Sequence, residues 1–243
     1  MGSPKARCER RWLGEARAAL RSTDKAPPHE QTRRHGLVCL LLATVALAIE
    51  HGTRSFPWIS ARFEPFALVF VKSVVLLLAL VGAVVLGVPA RGLGLARVAP
   101  EARRETLAVV VCAVAIGVVL AQRPDVRAVY PLYVPARSSL GAFLVHTAFF
   151  SVYALAWEAL FRGVVLFGTE PLFGRATLVV HAVAFTVAHV GIGKPLLEIG
   201  LAFPGGLLLG VMALRARSFV GPFLAHAALA ISVNVACIAP KLW

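Results

Sequence analysis

Seven apolar stretches follow one another along this chain, at residues 36–49, 66–90, 106–122, 139–168, 176–193, 196–214 and 219–239. A helix rises ~1.5 Å per residue, so about 20 apolar residues cross the ~30 Å hydrocarbon core of a bilayer. Inside that core every backbone polar group must find its partner within the protein. Successive apolar runs joined by short polar segments therefore point to an all-α fold, a polytopic transmembrane bundle of about seven helices. Hydrophobic residues make up 58% of the 243, against roughly half in soluble domains. The first run is short and ends at Glu50-His51, which reads as a tilted or partly interfacial helix.

The formal net charge of +13 resembles a nucleic-acid signal, but no nucleic-acid-binding motif accompanies it. Most of the charge lies in the first 35 residues and between the runs, as a topology and anionic-lipid signal would. Residues 1–35 read as a flexible basic cytoplasmic head, and 36–243 as a single membrane-embedded domain whose motif-bearing core is 139–239. Residues 10–22 suit a short amphipathic surface helix or disorder. A signal peptide cut after Ala46-Leu47-Ala48 is disfavoured by the length of the charged head, so the first run is read as retained. Arg91, Arg97, Arg103, Arg104, Arg175, Arg215 and Arg217 fall on the same side as the head. That places the protein in the cell membrane, multi-pass, with its N-terminus cytoplasmic. Arg54, Arg62, Arg123, Arg127 and Arg137 lie on the other side and run against the rule. Cys8, Cys39, Cys112 and Cys237 show no metal-ligand spacing and read as free thiols.

Glu158 and Arg162 stand four apart inside the fourth run, on one helix face. An acid and a base within a span are costly, and are usually paired, inward-facing and functional. An ion pair that only ties helices together is the plainer alternative. His189 and His226 lie in two further runs. Measured from the basic side at helical rise, Glu158 is ~14 Å deep, His189 ~20 Å and His226 ~11 Å. Three helices thus deliver Glu, His and His to nearly one level. A carboxylate and an imidazole can share a water and take its proton. A second imidazole, or the Asn234 amide, can donate to a developing oxyanion, and Arg162 can orient Glu158. No His-Glu-x-x-His spacing occurs and Arg162 is positive, which disfavours a metal. Neither a metal nor another cofactor is expected. The chain also lacks Gly-x-Ser-x-Gly.

Glu158-x-x-Phe161-Arg162-Gly163, then Phe185-x-x-x-His189, a Gly-rich helix, and Pro222-x-x-x-His226-Ala227 together resemble the CPBP family. These are the glutamic intramembrane endopeptidases that include CAAX prenyl proteases and bacteriocin-processing and self-immunity proteins. The resemblance covers roughly residues 150–235. It implies that Glu158 and Arg162 match the second Glu and the Arg of Glu-Glu-x-x-x-Arg, that His189 matches the Phe-x-x-x-His histidine, and that His226 matches the last motif. It implies that Glu158 and His189 activate water, that His226 stabilises the oxyanion and that Arg162 holds Glu158, with Asn234 a substitute for a missing amide. Two positions depart: Trp157 stands where the first Glu is usual, and Ala230 where Asn or Asp is usual. The Trp-Glu-x-x-Phe-Arg-Gly form resembles a branch of the family, and a myxosortase-like member is compatible with it. The expected activity is cleavage of peptide bonds in membrane-associated, lipidated or C-terminal-tail substrates, with membrane lipid and such peptides as partners and no nucleic acid. The alternative is an inactive relative serving as a membrane scaffold or immunity protein. A small transporter is a third reading.

Other residues carry plainer expectations. His146 and His181 suit structural hydrogen bonds, with His181 able to extend a polar wall. Glu198 suits a mouth residue paired with Lys194, or one that lines the cavity. Tyr130-Pro131-Leu132-Tyr133 suits an interfacial anchor, Phe149-Phe150 suits packing, and Pro204-Gly205-Gly206 suits a kink or close helix contact.

Overall fold

The computed structural model describes residues 29–55, 65–190 and 194–242. The amphipathic reading of residues 10–22 lies outside them. The chain divides into two compact units, Met1–Arg34 and His35–Trp243, and apart from the first six residues of the first helix, everything discussed below lies in the second. Its helices are α1 (His29–Ser55), α2 (Pro65–Val85), α3 (Ala102–Leu120), a short α4 (Pro124–Val129), α5 (Leu140–Glu158), α6 (Gly168–Phe173), α7 (Thr177–Val187), α8 (Leu196–Ala216) and α9 (Val220–Leu242). Among the described residues four stretches are long and apolar enough to cross a membrane: 30–52, 140–187, 196–216 and 220–238. The architecture is the all-α membrane bundle expected, with polarity reversed from a soluble protein. Leu41, Leu78, Leu107, Val111, Val119, Leu144 and Leu208 face outward, while Glu158 and Arg162 are fully buried.

The bundle is organised around the segment after α5. Residues Ala159–Phe167 wind as a π-helix, and all nine are buried. Such i→i+5 winding is rare, mostly confined to single turns and frequent at functional sites. Small residues let neighbours close in on it. A Cβ on Gly168 would lie 2.6 Å from Cys39 Sγ on α1. Gly94, at φ 71°, lies where a Cβ would come 2.5 Å from the Phe167 ring, so position 94 tolerates only glycine. Leu76, Leu80, Leu93, Phe185 and Phe219 complete this core.

α7 and α8 pack through a small-residue stripe. A Cβ on Gly206 would meet Ala182 Cα at 3.3 Å, and one on Gly210 would meet Leu178 Cδ1 at 2.6 Å. α8 runs unbroken through Pro204, so the close-contact alternative holds there. α7 is only 11 residues long, or ~16 Å, about half a bilayer. The run 176–193 is therefore not one continuous helix, and His189 lies two residues beyond the α7 end rather than mid-helix. The two glycines and the proline of Gly191-Ile192-Gly193-Lys194-Pro195 disfavour continuation.

One end of the unit gathers the loops that carry the basic residues. Ser218 Oγ donates to the Ala96 carbonyl at 2.6 Å, and Arg215 and Arg217 approach Glu105 and Glu170 at 3.6 and 3.7 Å. At the opposite end the arginines that ran against the charge rule are structural. Arg137 donates to the carbonyls of Pro131, Ala128 and Val129, and Arg127 to that of Ala121. Arg123 pairs with Asp125, whose carboxyl that contact holds below its ordinary range. The side chains of Arg54 and Arg62 lie outside the described set. Cys39 and Cys237 are buried free thiols and Cys112 is an exposed one.

Candidate active site

α5 begins at Ser139, whose hydroxyl accepts the Ala142 N–H at 3.3 Å as a helix cap does. Glu158 ends this helix at the entrance to the π-segment, and Arg162 sits four residues into the wider winding. Both side chains have no exposure, and Arg162 Nη1 donates to Glu158 Oε1 at 2.9 Å. From α9, His226 Nδ1 donates to the same oxygen at 2.7 Å. The contact joins residues 68 apart, and it meets the expectation that the helices deliver these groups to one level. A carboxylate only accepts, so Nδ1 carries the proton and Nε2 remains for chemistry.

His189 reaches the cluster through rings. Its Nδ1 donates to the Phe185 carbonyl at 2.7 Å, which leaves Nε2 as the acceptor of a neutral imidazole. Its ring centroid is 5.4 Å from Trp157 and 4.6 Å from Phe185. Phe185, the first residue of the Phe185-x-x-x-His189 motif, is the hub of these rings. The Arg162 guanidinium lies 4.3 Å from its centroid, as a cation–π contact, and His226 lies 6.2 Å away. Trp157 stacks on Phe161 at 4.9 Å and meets Phe185 edge-on. In place of a carboxylate it supplies one apolar wall of the site.

Asn234 is buried two turns beyond His226, with Oδ1 unpartnered among the described residues. No hydrogen bond joins it to Glu158, Arg162, His189 or His226. His181 is fully buried, and neither ring nitrogen has a partner among the described residues.

A cavity of about 70 Å³ opens beside His226, lined by Tyr130, Phe150, Lys194, Glu198, His226 and Ala230 with apolar neighbours. Ala230 leaves room one turn beyond His226, where the resemblance expects a larger amide or acid. Tyr130 is no interfacial anchor. It is buried, its hydroxyl donates to Glu198 Oε2 at 2.6 Å, and Lys194 donates to both Tyr130 and Glu198. Burial first, and the Glu198 charge second, hold the Tyr130 phenol well above its ordinary pKa. Phe150 belongs to an aromatic ladder, His146–Phe150–Tyr153–Trp157–Phe161, running along α5 into the site. Its three- and four-residue spacing was readable in the sequence. Sequence reasoning also passed over Lys72, which approaches buried Glu50 at 3.5 Å while Tyr153 donates to that carboxylate. A lone lysine inside the second run was the signal. Among the described residues no group of three His, Cys, Asp or Glu is arranged to hold a metal.

An apolar-surfaced bundle enclosing a Glu–Arg pair and two imidazoles has the build of a membrane-embedded enzyme. Residues 139–232 match the family model described as type II CAAX prenyl endopeptidase Rce1-like. Over this segment the chain is similar to the CPBP/CAAX protease family, a family of membrane peptide hydrolases. The match takes in Glu158, Arg162, His189 and His226 and stops short of Asn234. No curated protein and no solved structure matches the chain.

Proposed function

We propose that the protein is an intramembrane endopeptidase in which the Glu158–His226 pair activates water against a peptide bond of a membrane-associated, lipidated or C-terminal-tail substrate. The observation that carries this reading is the 2.7 Å contact between Glu158 and His226, because His226 is the one member of the cluster that also lines the cavity. His226 Nε2 takes a proton from water, and the resulting hydroxide adds to the peptide carbonyl carbon. The C–N bond then breaks, and His226 returns the proton to the leaving amine. Glu158 stabilises the imidazolium as it forms, and Arg162 holds the carboxylate in place. His189, oriented by the Phe185 carbonyl, borders the reacting groups as a supporting imidazole. Asn234 plays no direct part in this reading. The protein crosses the cell membrane several times, with its N-terminus in the cytoplasm.

The test is cleavage of tagged single-span reporters with varied C-terminal tails, co-expressed with the protein and followed by gel shift. Glu158→Gln and His226→Gln each lower cleavage by about 10²–10⁴-fold, the range of a lost acid–base group. His189→Gln costs less, roughly tenfold. Undiminished cleavage by Glu158→Gln overturns the mechanism.

A further inference from the structure

Four polar atoms around the Glu158–Arg162 pair have no hydrogen-bond partner among the described residues: Glu158 Oε2, Arg162 Nε, Arg162 Nη2 and His181 Nε2. All three side chains are fully buried. Folded proteins leave only roughly a few buried polar groups unmet per 100 residues, so these four, with His181 Nδ1 a fifth on the same three side chains, are a concentration. They gather about shared rings. The Arg162 guanidinium lies 4.3 Å from the Phe185 centroid, and His181 is 6.3 Å from the same ring and 6.4 Å from Phe161, the neighbour of Arg162.

Their chemistry is complementary. Arg162 Nε and Nη2 only donate, and a carboxylate oxygen accepts. On its other side His181 packs against α8, where a Cβ on Gly210 would lie 3.3 Å from Nδ1. Nε2 is thus the nitrogen left to meet the cluster. With Nε2 as the acceptor of a neutral imidazole, the set holds two donors and two acceptors. One water accepts two hydrogen bonds and donates two, and buried waters typically have two to four such partners.

We propose that an internal water site lies between Arg162, His181 and the free oxygen of Glu158, and that His181 is a positioning residue fixing this water and, through it, the carboxylate that orients His226. The catalytic consequence rests on the hydrolase reading; the water site does not.

The experiment compares purified wild-type protein with His181→Phe, which removes the acceptor at similar volume, and His181→Gln, which retains one. Thermal midpoints are read first. His181→Phe lowers the midpoint by roughly 2–4 °C, the shift of one lost interaction in a chain of this size, and His181→Gln recovers most of it. A His181→Phe midpoint at or above wild type overturns the proposal, because deleting a dry, unmet polar group is neutral or stabilising. Should His181→Phe fail to fold, high-resolution density of the wild type decides. A water within hydrogen-bond distance of His181 Nε2 and Arg162 Nη2 supports the site, and continuous side-chain packing there overturns it. In the reporter assay His181→Phe lowers kcat about tenfold with KM unchanged, and His181→Gln rescues it. Loss of activity in every variant except wild type, with midpoints unmoved, also overturns the positioning role. Inactivity of wild type itself counts against the hydrolase reading alone, since midpoints and density do not depend on it.

Discussion

At the scale of single residues, the candidate site holds polar groups that contact one another and aromatic groups that pack around them. Glu158 shares one oxygen between a guanidinium and an imidazole, and its charge is tolerable in lipid because both neighbours are donors. Trp157 has the opposite character. Its indole stacks on Phe161 and walls in His189. Restoring the usual glutamate there, Trp157→Glu, buries a second carboxylate beside Glu158 with no added cation. That variant is expected to lose roughly 3–5 kcal/mol, as unpaired buried charges do, and to gain no cleavage. Chemical denaturation in detergent together with the reporter assay checks both. A stable and more active variant would instead show that the wild type lacks its base.

At the scale of elements, close approach of α7 and α8 holds Phe185 and His181 against the π-segment. Gly210→Leu puts side-chain atoms where Leu178 and His181 already sit. Overpacking of this kind costs about 1–3 kcal/mol, and cleavage falls with it because His181 is displaced. Thermal midpoint and cleavage measured on the same preparation test the link. The Tyr130–Lys194–Glu198 contact pins the segment before α5 to the start of α8 across the cavity mouth. The folded state raises the Tyr130 pKa, so the stability it confers is complete below the ordinary tyrosine value of about 10. That stability is lost as pH climbs through the raised value. The midpoint difference between wild type and Tyr130→Phe is therefore expected to be flat through neutral pH and to shrink only above about pH 10.

How far these elements could be read from the sequence depended on the kind of signal. Apolar length found the helices, and the four-residue spacing of Glu158 and Arg162 with the depth of His226 found the cluster these three side chains form. Those are local or one-dimensional features. The end of α7 before His189 was written in Gly191, Gly193 and Pro195, but an apolar run masked it. The wide winding after Glu158 leaves no pattern in side-chain polarity, since every residue in it is buried. Tyr130 and Glu198 lie 68 residues apart, and nothing in either neighbourhood announces the other.

For the molecule as a whole, reversed polarity and the sorting of arginines carry the membrane reading. Arg123, Arg127 and Arg137 are bound to a neighbouring carboxylate or to loop carbonyls, which accounts for much of the positive charge that ran against the charge rule. A reporter enzyme active only outside the cytoplasm is expected to work when fused after Trp243 and to stay silent when fused before Met1. Activity in the reverse pattern would invert the proposed orientation and with it the side on which the cavity opens.

The nine-residue π-segment has one more implication, for how the chain tolerates change in length. Looser coiling fits more residues into each turn, so helix α5 and helix α6 are out of phase by comparison with a continuous α-helix. Removing a single residue between Ala159 and Phe167 would let the stretch tighten, yet it would swing everything on one side relative to the other. Insertions and deletions are ordinarily absorbed in loops; here the least forgiving place for one is the middle of a helix.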